Sequence, residues 1–155
     1  MPKFLEVCAR ELMDTVPQII QAIRVEMRLG RGANISIPQF RTLRFIQRHI
    51  DSSLSDIADH LGLTLPSASK LVDGLVKQKL VNRQESATDR RRLTLGLTQS
   101  GESIVNIARA NAHASLANKL SVLSDDELDT VMHAMELLRP LFVAQGKLPL
   151  EPERS

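Results

Sequence analysis

Asp89-Arg90-Arg91-Arg92-Leu93-Thr94-Leu95-Gly96-Leu97-Thr98 sets a compact cationic turn directly before a short alternating strand. Upstream, Leu80-Val81-Asn82-Arg83-Gln84 reads as the partner strand. Before that lies a helix-like stretch from Leu65 to Lys79, rich in small hydroxyl residues and lysine. A basic turn carried on a strand pair suits a narrow anionic groove.

The segments on either side extend this order. Ser53 followed by Asp56 is a capping signature, and Leu54, Ile57, Ala58 and Leu61 then fall at the i, i+3, i+4, i+7 positions of a short amphipathic helix that Gly62 ends. A short link reaches the helix whose Ala68, Leu71, Val72, Leu75 and Val76 face inward. Two helices so spaced, then strand, basic turn and strand, are the order of a winged helix-turn-helix. Farther upstream, Ser36 and Gln39 form a capping box with Pro38 in the first turn, opening a helix to about His49.

Long apolar stripes flank this unit. From Phe4 to Leu29, Leu5, Leu12, Val16, Ile19, Ile20, Ile23 and Met27 share one helical stripe, which Pro17 is expected to bend or divide, and Gly30 to Asn34 forms a loop. Thr98 caps a helix to about Leu120, carrying Ile104, Val105, Ala108, Ala112, Leu116 and Leu120. Ser124 and Glu127 open another, with Val131, Met132, Met135, Leu138 and Leu141 inward. These stripes exceed what a small winged unit can cover, so they are expected to pack together across a two-fold axis. The fold class is mainly α with a small β-wing. Its expected divisions are an N-terminal dimerisation helix and loop over 1–35, the DNA-binding unit over 36–98, C-terminal dimerisation helices over 99–145 and a flexible tail over 146–155.

Composition narrows the chemistry. Aromatic residues make up 3% of the 155, with no Trp or Tyr, so the core must be Leu, Ile, Val, Ala and Met. The net charge of +2 is uninformative, but its distribution is not: residues 66–95 hold seven Lys/Arg against three Asp/Glu, whereas residues from 99 onward hold five against eight. The basic end is the one suited to phosphate. No stretch approaches the roughly 20 apolar residues of a membrane helix, which points to a cytoplasmic, nucleoid-associated protein. The single cysteine, Cys8, leaves inert packing, thiol sensing or an intermolecular bridge as readings. His49, His60, His113 and His133 form no close metal-binding cluster, and no nucleophile elbow, phosphate-cradling loop or paired-carboxylate motif appears. Neither an enzyme, a metal nor a cofactor is expected.

Four segments together resemble the MarR family of bacterial winged-helix regulators: Ile37-Pro38-Gln39-Phe40-Arg41-Thr42-Leu43, Leu54 to Gly62, Ser67 to Leu75, and Asp89-Arg90-Arg91 leading to Leu95-Gly96-Leu97-Thr98. Leu123-Ser124-Asp125-Asp126-Glu127-Leu128 is similar to the start of that family's final dimerisation helix. Two positions depart from the pattern. Lys79 stands where the family often has Gly, so a left-handed backbone there implies strain of about 1 kcal/mol. Gly74 replaces an Arg that many members carry.

The resemblance implies a homodimer that grips a pseudo-palindromic operator in double-stranded DNA, acting as a ligand-responsive repressor. The helix from Leu65 would enter the major groove, with Pro66, Ser67, Ser69, Lys70 and Asp73 on the face left free by the apolar stripe. Ser67, Ser69 and Lys70 are the expected base or phosphate contacts. In the wing, Arg91 would reach into the minor groove, braced by Asp89 through a charge-assisted pair, with Arg90 and Arg92 on flanking phosphates. The effector implied is a small aromatic or lipophilic compound. Arg41, Arg44 and Arg48 share a helix face that could touch DNA backbone, line an effector cavity or be solvated. Peroxide sensing through Cys8 would require tyrosine partners that this chain lacks. An architectural DNA-binding protein of little sequence preference and a winged-helix protein-interaction module are the competing functions.

Overall fold

The computed structural model describes residues 2–143. Its elements run α1 (Pro2–Leu29), α2 (Ile37–Arg48), α3 (Leu54–Leu61), α4 (Leu65–Lys77), β1 (Val81–Glu85), β2 (Leu93–Leu97), α5 (Gln99–Leu120) and α6 (Asp125–Val143). They fall into two compact units that divide after His113, with α5 contributing to both. The tail assigned to 146–155 lies outside the described residues.

In the first unit the helix starts are fixed locally. The Ser36 hydroxyl accepts the Gln39 N–H while the Gln39 side chain accepts the Ser36 N–H, and Ser53 and Asp56 repeat the arrangement. Thr64 caps α4 by accepting the Ser67 N–H at 3.3 Å. Gly62 ends α3 with φ +67°, in the left-handed region. The inward faces then meet in one core of Phe40, Leu43, Ile46, Ile57, Ala68, Val72, Leu75, Leu80, Val81, Leu95, Val105 and Ala108. Phe45 packs against this core with its ring stacked on His49, centroids 4.1 Å apart, and tilted against His60.

Only the last turns of α1 join that core, through Ile23 and Met27. Of the two expectations for Pro17, division does not occur: α1 is one helix through that position. Proline removes a single N–H donor, the partner of the Met13 carbonyl; Met13 is 75% exposed, so water can take that place, and the Gln18 side chain donates to the neighbouring Asp14 carbonyl at 3.0 Å. The N-terminal turns leave Phe4 (75% exposed), Leu5 and Met13 bare.

The second unit holds the end of α5 and α6. Ser121 donates its hydroxyl to the Asn118 carbonyl at 2.7 Å, and the Ser124–Glu127 capping box starts α6. Backbone and side-chain hydrogen bonds from Ser124 hold the Glu127 carboxyl below its ordinary value. Along α6, Met132, Met135, Leu137, Leu141 and Phe142 are exposed.

β1 and β2 pair antiparallel, Val81 opposite Leu97 and Glu85 opposite Leu93. Their root is tied to the end of α4 by a tight corner. The Lys79 N–H donates to the Val76 carbonyl and the Leu80 N–H to the Leu75 carbonyl, closing a Schellman turn in which Lys79 takes φ +58°. Thr98, capping α5, donates its hydroxyl to the Lys79 carbonyl at 2.7 Å and its N–H to the Leu80 carbonyl at 3.1 Å. Gly101 sits so close that a Cβ there would lie 2.2 Å from the Leu80 oxygen.

A lysine at φ +58° carries the strain expected for that position. Lys79→Gly is expected to raise the unfolding free energy by about 1 kcal/mol at fixed protein concentration, read by urea denaturation. No gain would mean that the corner relaxes the lysine backbone at no cost.

Candidate nucleic-acid interface

The amino end of α4 is prepared for contact by its cap. With Thr64 holding the Ser67 N–H and its own hydroxyl 3.0 Å from the Ser67 hydroxyl, the first turn is fixed while Leu65, Pro66, Ser67 and Lys70 stay exposed. Ser69 is half-buried. Ala68, Val72 and Leu75 anchor the opposite face in the core, so the free face is the one the apolar stripe left over. Remaining N–H groups and the helix dipole favour negative charge at this end.

Asp73 has a different place. Its carboxylate forms an ion pair with the Arg83 guanidinium of β1, joining helix and wing strand. Arg83 was not among the expected site residues, because its partner lies on a separate element and no local pattern marks it.

The wing tip is ordered from within. Buried Ser86 accepts the Thr88 and Asp89 N–H groups on its hydroxyl, and its N–H donates to the Arg92 carbonyl at 2.9 Å. Asp89 accepts the Arg91 backbone N–H on Oδ1 at 3.0 Å. The expected brace therefore acts on the Arg91 backbone rather than through its guanidinium, and it shapes the turn. Two ties reach the start of α3: Asp51 accepts the Ala87 N–H at 3.4 Å, and the Ser52 carbonyl accepts the Leu95 N–H at 2.9 Å.

The three wing arginines divide into two roles. Arg92 donates to Asp56 at 3.2 Å, so part of its charge is neutralised inside the protein. Arg90 and Arg91 are exposed and carry no ion pair among the described residues. The result is two unneutralised guanidinium groups on a turn whose backbone is pinned. On α2, Arg41 and Arg44 are half-buried while Arg48 is exposed, so this face is only partly wet.

Asp56 occupies the junction of cap and wing. The Ser53 backbone N–H donates to its carboxylate at 2.7 Å and holds it below its ordinary value near 3.8; burial opposes this, while the Ser53 hydroxyl, Arg92 and His49 add to it. Cys8 is exposed on α1. No group of His, Cys, Asp and Glu among the described residues could hold a metal ion, and no helix among them is long and apolar enough to cross a membrane.

The MarR family model matches residues 33–92, the stretch from the loop before α2 to the wing. An HTH-type transcriptional regulator of Bacillus subtilis, YfiV, is 30% identical over 105 residues, covering 68% of this chain and 66% of its own length. The chain thus spans just under two thirds of that curated relative. The transcriptional regulator Tm0710 of Thermotoga maritima superposes with a TM-score of 0.78 at 19% identity, over 87% of this chain and 96% of that one. Staphylococcus aureus MepR bound to ethidium bromide gives 0.60 at 27% identity, over 82% and 96%. A MepR mutant bound to an oligodeoxyribonucleotide gives 0.56 at 27%, over 82% and 98%.

Because the Asp56 carboxyl is depressed on folding, its charge stabilises the protein above the unfolded value near 3.8 and loses that effect as pH falls through the folded value. Asp56→Asn is expected to cost about 0.5 kcal/mol at neutral pH, after allowance for its solvent exposure. The same variant should lose less stability than the parent on acidification below pH ~4. Parallel stability curves over that range would exclude a charged role for Asp56.

Proposed function

The chain belongs to the MarR family, and on that premise we propose that it is a sequence-specific regulator of transcription that binds double-stranded DNA as a homodimer. The observation that carries this reading is the pairing of a capped, exposed α4 amino end with a pinned wing bearing the unneutralised Arg90 and Arg91. Members of the family are regulators and not enzymes. The α4 end enters the major groove with Ser67, Ser69 and Lys70 nearest the bases and phosphates, and Pro66 on the same leading turn. Asp73 stands at that face to hold Arg83 toward the wing. Arg91 enters the minor groove, where a narrow A·T-rich stretch concentrates negative potential. Arg90 meets a phosphate, and Arg92 fixes the wing through Asp56.

Dimer formation is supported by the exposed apolar residues of α1 and, separately, of α6. Two copies related by a two-fold axis set two recognition helices about one helical turn of DNA apart, matching a pseudo-palindromic site. Repression is relieved by a small aromatic or lipophilic effector that binds one spacing of those helices better than the other. MepR bound to ethidium bromide is the relative that supports this part of the reading.

Binding to DNA upstream of its own gene, titrated across salt with excess random competitor, tests the proposal. Tight, competitor-resistant binding is expected; fully competed binding would indicate an architectural protein, and negligible binding a protein-interaction module. Arg91→Ala is expected to weaken operator binding by about 1–3 kcal/mol. Arg90→Ala should lower the salt slope by about one, and Arg92→Ala by less than that. Unchanged affinity in Arg91→Ala would remove the wing from the interface. Met135→Asp on α6 is expected to shift sedimentation from dimer to monomer and to lower DNA affinity by about tenfold or more, because the second half-site is no longer bound at a high effective concentration. A dimer of unchanged strength would move the interface away from α6.

A further inference from the structure

We propose that Leu65 reads the 5-methyl group of a thymine in the major groove and so fixes one base of each half-site. This rests on the DNA-binding reading above. Leu65 is the first residue of α4, directly after the Thr64 cap, and is 52% exposed. Leu63, just before the cap, is 37% exposed, and the Pro66 ring beside Leu65 is also exposed. The leading turn of the helix therefore carries an apolar lip that the core does not take up.

A single exposed leucine is ordinary on a protein surface. What singles this one out is its company. Around it on the same unit stand exposed cations without an ion pair, Lys70 farther along the helix and Arg90 and Arg91 on the wing, with the exposed carboxylates Glu85 and Asp89 also on the wing. An apolar protein partner offers nothing to these cations. A DNA duplex offers both chemistries, with phosphates outside and one apolar group on the major-groove edge of a base pair, the thymine methyl. A branched aliphatic side chain on a capped turn suits that group, because the Thr64 cap and the Pro66 ring already hold the backbone beneath it. Ser69 follows Leu65 one turn on along the same flank. Its hydroxyl complements an adjacent polar base edge, so methyl and polar edge are read in succession.

The experiment uses full-length protein and duplexes recovered by selection from a random library. Thymines in the recovered site are replaced one at a time by deoxyuridine, which removes only the methyl, and each duplex is titrated against wild type, Leu65→Ala and Leu65→Met. Thermal unfolding of both variants accompanies the titrations, and Leu65→Met retains an apolar end should the alanine variant fold poorly. Wild type is expected to lose about threefold to tenfold in affinity at one thymine per half-site, with Leu65→Ala insensitive to the same change and Leu65→Met still sensitive. Equal sensitivity of wild type and Leu65→Ala at every thymine, or none in either, overturns the assignment of Leu65 while leaving the sequence-specific regulator intact. Failure to recover any preferred duplex overturns both readings together.

Discussion

The corner at Lys79 and Leu80 is the constraint on which the winged unit depends. Its two backbone N–H groups end α4, its two carbonyls receive both donors of Thr98, and Leu80 passes directly into β1. One pair of residues therefore sets where α4 stops, where the wing begins and where α5 starts. The closeness of Gly101 to the Leu80 oxygen leaves no room for slippage, since even a methyl group would collide. A left-handed lysine is tolerated here because the surrounding bonds over-determine it. Any displacement of the first turn of α5 must be passed to helix and wing root together, because no flexible residue separates them.

Charge placement follows from the same economy of contacts. Exposed ion pairs such as Asp73 with Arg83 and Asp56 with Arg92 add little to stability. Their consequence is positional: each removes a cation from the pool that can meet phosphate and uses it to tie the wing to a helix. Arg90 and Arg91 are left as the unpaired charges on a turn whose shape Ser86 and Asp89 already determine. A turn ordered before binding loses less conformational freedom on binding, and a larger share of each arginine contact appears as affinity.

The features legible in the sequence are those whose causes are local. Ser36 with Gln39, Ser53 with Asp56 and Ser124 with Glu127 each announce a helix start within four residues, and Gly62 announces an end. The strand pair was readable from Leu93, Leu95 and Leu97 beside the basic turn, and the left-handed Lys79 from the glycine that the family resemblance implies there. What was not legible depends on residues far apart in the chain. Arg92 finds Asp56 across 36 positions, and Asp73 finds Arg83 on another element. The Asp89 brace was misassigned because carboxylate and guanidinium suggest each other, whereas the nearer donor in a tight turn is the backbone. For Pro17 the sequence left bending and division open, and α1 is undivided there: proline removes one donor, at a turn where Met13 is exposed to water.

The bare apolar residues of α1 and α6 bear on how the chain can meet DNA at all. A lone scattered leucine is tolerable on a surface, but a run such as Met132, Met135, Leu137, Leu141 and Phe142 on one helix favours association. Its burial gains apolar contact at about 25 cal/mol per Å², which an isolated copy forgoes. Closed two-fold pairing is the arrangement that buries such a run without leaving it free to recruit further copies. Pairing also duplicates the capped helix and the wing. In the proposed dimer, two weak readings of a short half-site become one strong reading of a palindrome, because the second copy binds at a high effective concentration. On the proposed reading, specificity is therefore a property of the pair, and the apolar residues of α1 and α6 are as much a part of it as the arginines.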